Sequence, residues 1–207
     1  MAPVNEPVAF FFSPGSRYSY LAASQIPALE EETGCRVDWR PVDGHALRTL
    51  RGRDPFLGPP VSGQYDWTYR RADAEVWAEY YGIPFREPPD HDLDFRLLVR
   101  AAVAAKRLGA AARYGARLCA AVYASQAWPV DEAVCVRLAD EVGLPRMDFS
   151  AMLSDAGTER QMDAAAREAH ARGAFGVPTF FVRDRMFWGN DRLVLVRHYL
   201  HQLPARP

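Results

Sequence analysis

The chain opens on a short apolar run, Val8-Ala9-Phe10-Phe11-Phe12, bounded by Pro7 and by Ser13-Pro14-Gly15. A run this short and this apolar predicts a buried strand ending in a turn. The spacing then changes: Leu21, Ile26 and Leu29 lead into Glu30-Glu31-Glu32, which predicts a helix over Tyr18 to Thr33 with Gly34 as its stop. Pro27 should kink that helix or loosen one turn. Cys35 to Pro41 alternates apolar and polar side chains and reads as a second strand. A helix of crossover length between two strands predicts parallel pairing in a right-handed unit.

Asp43 to Gln64 is rich in Gly, Pro and Arg and reads as a loop. Apolar positions three or four apart then predict helices at about Trp67 to Tyr81, Phe95 to Leu108, Ala111 to Ser125, Asp131 to Val142, Asp148 to Ser154 and Thr158 to Arg172. Thr179-Phe180-Phe181-Val182, a tight Arg183-Asp184 and Arg185-Met186-Phe187-Trp188 predict a hairpin. Gly189-Asn190 ends it, and Asn190 or Asp191 can cap a last helix through Leu203. The order βαβ, helical block, αββα is that of an α/β, thioredoxin-like fold. Residues 1–42 and 158–207 would form the thioredoxin-like domain and 43–157 an all-helical insertion domain.

Composition narrows the classes of function. With 207 residues, 49% of them apolar, the chain can bury a sizeable core. A net charge of -1 with interspersed signs carries no footprint of nucleic acid or anionic membrane, so small molecules or other chains are the expected partners. The first residues have neither the basic start nor the apolar length of a signal peptide, and no run is long enough to span a membrane, so a soluble cytoplasmic enzyme is expected. Cys35, Cys119 and Cys135 stand far apart, with no CxxC and no histidine at ligand spacing. Neither disulfides nor a metal is therefore expected, and each cysteine reads as a small buried residue. Lys106 is the only lysine among 25 basic residues, which argues against Schiff-base chemistry.

Three places carry candidate chemistry. Ser13-Pro14-Gly15-Ser16-Arg17-Tyr18-Ser19-Tyr20-Leu21-Ala22 lies where the first strand turns into the first helix. A helix N-terminus exposes unpaired amides and the positive end of the dipole, which favours a thiolate held against it. Thioredoxin-like redox proteins carry CxxC at this turn; here Ser16 and Ser19 stand at both places, so no disulfide can cycle. Ser16 could equally be a plain helix cap. Gly173-Ala174-Phe175-Gly176-Val177-Pro178-Thr179-Phe180 precedes a strand, where such folds place a cis-proline that turns the backbone of the residue before it toward a peptide ligand. Proline also opens strands for steric reasons alone. Met186-Phe187-Trp188-Gly189-Asn190-Asp191-Arg192-Leu193 sets two polar residues at a helix start, again with capping as the plain alternative.

The motif Ser16-Arg17-Tyr18-Ser19-Tyr20-Leu21-Ala22 resembles the "S-P-Y-S-Y-L-A" of the kappa-class glutathione transferases and the related 2-hydroxychromene-2-carboxylate isomerases, and the other two motifs follow in that family's order over about residues 8 to 203. The resemblance implies that the Ser16 hydroxyl stabilises a glutathione thiolate. It implies that Val177, before Pro178, pairs with the cysteinyl unit, and that Asn190 and Asp191 bind the γ-glutamyl end. The chain departs from the family at Arg17, where proline is usual, at Leu57 in place of asparagine and at Asp66 in place of lysine. Glutathione, another low-molecular-weight thiol or no thiol all remain open on those departures. Arg17, Tyr18, Asp66, Trp67 and Tyr69 are candidate substrate contacts. Trp67, Tyr69, Trp77, Tyr80, Tyr81 and Phe85 could line a pocket for a planar aromatic substrate or belong to the core. The five histidines lie at no triad spacing, and only His45 falls near the expected site.

The resemblance points first to a thiol-dependent isomerase acting on a conjugated aromatic small molecule. The alternatives are a kappa-class transferase that forms conjugates and a thiol-independent tailoring enzyme or small-molecule-binding protein. The family often forms dimers, so a homodimer is implied as well.

Overall fold

In the computed structural model, which describes residues 7–52, 59, 62–89 and 93–203, the N-terminal run forms β1 (Pro7–Phe12) and the alternating segment forms β2 (Arg36–Pro41). They pair in parallel from Pro7 opposite Arg36 to Phe12 opposite Pro41. The helix between them, α1 (Arg17–Thr33), ends at Gly34 with φ 69, the left-handed conformation that glycine adopts without a Cβ penalty. Pro27 lies inside α1 and the helix runs through it. The hairpin β3 (Thr179–Val182) and β4 (Arg185–Trp188) adds antiparallel to the other side of β1, giving the order β2-β1-β3-β4.

Side chains on β1 alternate between two faces, and both faces are covered. Val8, Phe10 and Phe12 join Phe180 and Val182 in the larger core, where the Phe10 and Phe180 rings stack at 4.8 Å. Ala9 and Phe11 join Phe181 in a second core. Five helices between the two halves of the sheet follow the sequence expectation closely: α3 (Trp67–Tyr81), α4 (Phe95–Arg107), α5 (Ala111–Tyr123), α6 (Glu132–Glu141) and α7 (Arg146–Ser154). They share the larger core with the sheet. Gly115 of α5 shows how closely: a Cβ there would stand 2.8 Å from Phe12 Cζ and 3.1 Å from Trp39 Cε3.

Two expectations need correction. The segment from Asp43 to Gln64 is not loop throughout. It opens with α2 (Gly44–Leu50), because the Asp43 carboxylate accepts the amides of His45 at 2.8 Å and Ala46 at 3.3 Å while Leu47 buries against the second core. Leu57, Pro60 and most of the Gly/Pro run lie outside the described residues. Opposite α2 on the same face packs α8 (Ala156–Ala171), which contributes Ala166 and Ala169. The last helix, α9 (Leu193–Gln202), follows a 3-10 turn at Asn190–Arg192, and neither Asn190 nor Asp191 caps it with a side chain. Asn190 is buried and donates its Nδ2 to the Tyr81 hydroxyl at 3.4 Å, while Asp191 pairs with Arg192 at 3.1 Å.

Candidate functional site

The turn between β1 and α1 sets Ser13 to Ser16 at the C-terminal end of the inner strand β1. The Ser16 amide donates to the Ser13 carbonyl at 2.9 Å, and the Ser13 amide to the Ser19 hydroxyl at 3.3 Å. Ser16 is the N-cap of α1, and its Oγ accepts the Ser19 amide at 3.3 Å. A hydroxyl that accepts through its oxygen keeps its proton for another partner. Capping and donation to a ligand are therefore compatible at Ser16. The amides of the first turn add a partial positive charge at the same place.

Ser16 faces a cavity of about 1020 Å³. Phe175, Gly176 and Val177 also line it, with Trp188 of β4 packed against Phe175 and Gly176. The Val177–Pro178 bond is cis, and the β3 ladder starts only at Thr179, so the backbone of Val177 stands outside the sheet pairing. Gly176 is required by close packing: a Cβ there would meet Trp188 Nε1 at 2.8 Å. His45 and Arg48 of α2 and Trp67, Arg70 and Arg71 of α3 complete much of the lining. Basic side chains outnumber the acidic Asp43 and Glu87 in the lining, so the cavity suits an anionic ligand.

Of the ten residues singled out in the sequence, the cavity gathers Ser16, Arg17, Trp67 and Val177. Arg17 is nearly buried, pairs with Glu87 through Nη2 at 2.6 Å and lies over the Trp67 ring at 5.1 Å. Tyr18 and Asp66 sit in its supports. Tyr18 donates its hydroxyl to Asp73 at 2.7 Å and stacks under Arg70 at 4.7 Å, which ties α1 to α3. Burial first, and then the bond to Asp73, push its phenol far above the ordinary value. Asp66 caps α3 by accepting the Tyr69 amide at 3.0 Å, and Tyr69 points outward, 56% exposed. Pro178, Asn190 and Asp191 are not among the lining residues. Of the aromatic group, only Trp67 lines the cavity; Trp77, Tyr81 and Phe85 pack on the core, and Tyr80 is exposed.

Sequence reasoning passed over Glu87, Tyr123 and Trp188 as individual site residues. Glu87 follows the Gly82 stop in an irregular segment, where a lone carboxylate before Pro88-Pro89 gives no periodic signal. Its partner 70 residues earlier becomes a neighbour only on folding. Cys35, Cys119 and Cys135 are buried and take no part in the cavity lining. Burial raises the pKa of all three thiols, that of Cys135 to about 12, so they stay protonated at neutral pH. Among the described residues, no three His, Cys, Asp or Glu side chains cluster to hold a metal, and no helix is long and apolar enough to cross a membrane.

Comparison with known proteins agrees with this architecture. Residues 7–201 match the family described as DSBA-like thioredoxin domain. A 2-hydroxychromene-2-carboxylate isomerase of Sphingobium xenophagum is 28% identical over 194 residues, covering 93% of this chain and 97% of that protein. A solved structure of a 2-hydroxychromene-2-carboxylate isomerase superimposes with a TM-score of 0.81 at 26% identity, over 95% of each chain. The cytosolic disulfide reductase DsbM of Pseudomonas aeruginosa, solved with GSH, shares the fold at a TM-score of 0.63 and 20% identity, over 94% of this chain and 97% of that one.

Proposed function

For this chain, which belongs to the DSBA-like thioredoxin domain family and carries serine where that fold can carry a redox cysteine pair, we propose a thiol-dependent cis-trans isomerase of a conjugated aromatic carboxylate. The observation that carries the reading is Ser16. Its Oγ accepts the Ser19 amide, its proton is left to donate, and it faces the cavity from the N-terminus of α1. The name shared by the full-length relatives supports the reaction class.

Glutathione fits the donor set as a cofactor. It is a short peptide with one thiol and two carboxylates, and the cavity offers a hydroxyl donor, a peptide backbone outside the sheet ladder at Val177, and cationic walls. Ser16 would hold the sulfur, Val177 the cysteinyl backbone, and Arg48 or Arg71 a carboxylate. When bound, the cofactor would supply a thiolate able to add reversibly to a conjugated double bond, one chemical route to cis-trans isomerisation. The hydroxyl of Ser16 and the amides of α1 favour negative charge beside them, and the face of Trp67 offers a flat ring a stacking surface. Arg17, its charge countered by Glu87, holds a guanidinium beside Ser16 in the cavity lining.

The test is calorimetric titration with glutathione, followed by ultraviolet assay of 2-hydroxychromene-2-carboxylate with and without it. Binding at or below millimolar concentration, with isomerisation only in the presence of thiol, is expected. Absence of binding at millimolar glutathione removes glutathione from the reading. Accumulation of a conjugate would assign a transferase instead. Isomerisation without any thiol would favour direct handling of the substrate by Arg17, whose position beside Ser16 is the observation on which that second reading stands.

A further inference from the structure

The turn that carries Ser16 is held from behind by a side chain outside all three sequence motifs. Tyr123, at the C-terminal end of α5 and 2% exposed, donates its hydroxyl to the Gly15 carbonyl at 2.6 Å. That carbonyl and the Ser16 N–H belong to one planar peptide unit. The N–H is bonded in turn to the Ser13 carbonyl at 2.9 Å. A peptide plane held at both ends fixes the direction in which the Ser16 side chain leaves the backbone.

The Tyr123 ring has little room to move. Phe85 lies parallel to it at 5.6 Å and 7°, Tyr20 stacks at 5.7 Å and 26°, and the Tyr123 carbonyl accepts the Arg86 amide at 2.8 Å. Tyr123 also lines the cavity. Burial first, and then the Glu87 charge, push its phenol far above the ordinary value, so the hydroxyl remains a donor at every working pH.

We propose that Tyr123 is a positioning residue: by holding the Gly15 carbonyl it aims the Ser16 hydroxyl, and so sets how strongly a thiol in the cavity is ionised. The proposal rests on the reading of Ser16 given above, and it adds a residue that acts only through the backbone of the turn.

Tyr123→Phe deletes the hydroxyl and keeps the ring. The glutathione dissociation constant at neutral pH should rise about five-fold, the ratio that one buried hydrogen bond supports. The midpoint of the thiolate ultraviolet absorbance of the bound cofactor should move to higher pH, because a misaimed donor stabilises the anion less. Tyr20→Phe is the matched control: it removes a hydroxyl from the same ring stack, but one that donates to the Pro84 carbonyl instead of the turn. It should leave both readouts at wild-type values. Equal effects of the two variants would reduce Tyr123 to a structural role and overturn the proposal.

In a Ser16→Ala background, Tyr123→Phe should add no further loss, since the two act in series. Additive losses would also overturn it. Should the wild-type protein fail to bind glutathione, the functional reading fails separately, and the positioning claim is decided by hydrogen exchange at the Ser19 amide, the donor to Ser16 Oγ. Faster exchange in Tyr123→Phe, with the Tyr20→Phe rate unchanged, supports it. An unchanged rate in Tyr123→Phe rejects it.

Discussion

At Ser16 a single oxygen both closes a helix end and faces the cavity, so its replacement should have two separable effects. Ser16→Ala should cost about 1 kcal/mol of stability through the lost cap, measured by urea unfolding. It should also lower thiol-dependent turnover by about a hundred-fold, the scale of losing one preorganised donor. Full turnover in the variant would make Ser16 a cap alone. Ser16→Cys should place a thiol at the N-terminus of α1 with a pKa clearly below the ordinary value of about 8.5, read from the pH dependence of its alkylation. The Arg17–Glu87 pair belongs to the same scale. It is mostly removed from water, and Glu87→Gln should destabilise the fold by about 1–2 kcal/mol, because Arg17 keeps its charge and loses the countercharge. Ser16 and Arg17 were legible in the sequence because they sit inside a motif. Glu87 and Tyr123 were not, since each acquires its meaning from a partner far away in the chain: Arg17 lies 70 residues from Glu87, and Gly15 lies 108 from Tyr123.

Helices hold the site by close approach and by their caps. Gly115 lets α5 lie on Phe12 and Trp39, and α5 carries Tyr123 at its far end. Gly115→Ala should destabilise the protein in spite of alanine's better helix propensity, since overpacking costs about 1–3 kcal/mol against a propensity gain of up to about 1. Thermal unfolding checks the sign. At the start of α8, Asp155 accepts the Gly157 amide at 2.7 Å and pairs with Arg107 at 2.5 Å. The Arg107 hydrogen bond first, and the Gly157 amide next, hold its carboxyl below the ordinary value. A carboxyl depressed on folding contributes stability above its unfolded value of about 3.9 and loses it as pH falls through the lower folded value. The stability difference between wild type and Asp155→Asn should therefore be constant near neutral pH and shrink only in acid, below about pH 4. A difference that already varies between pH 6 and 8 would contradict this assignment. The helices themselves were readable from spacing, and so was the Gly34 stop. The short α2 was hidden because seven residues carry almost no periodic signal, and Asp43 declares itself a cap only when Leu47 is seen to bury.

For the whole molecule, the sequence order suggested a domain and an insertion, yet the larger core runs without a break from Phe10 and Trp39 through Leu118, Leu138 and Phe149. Residues 43–157 and the sheet should accordingly melt together, with near- and far-ultraviolet dichroism giving coincident transitions. Two resolved transitions would mean that the insertion is stable alone. What the sequence determined by itself was local: the strand and helix periods, the turn between β1 and α1 with serine at both cysteine positions, the Val177-Pro178 step, and from these the α/β fold and its family. Such features depend on neighbours along the chain, so a pattern of residues suffices to specify them. Only the tertiary structure decided which side chains face the cavity. It turned Asp66 and Tyr18 into supports, tied Asn190 to Tyr81 and brought Glu87 against Arg17. It also set Tyr123 behind the serine turn. Apart from the local Asp66 cap, these contacts join segments whose separation along the chain carries no signal, and they come into being only when the shared core fixes the helices on the sheet.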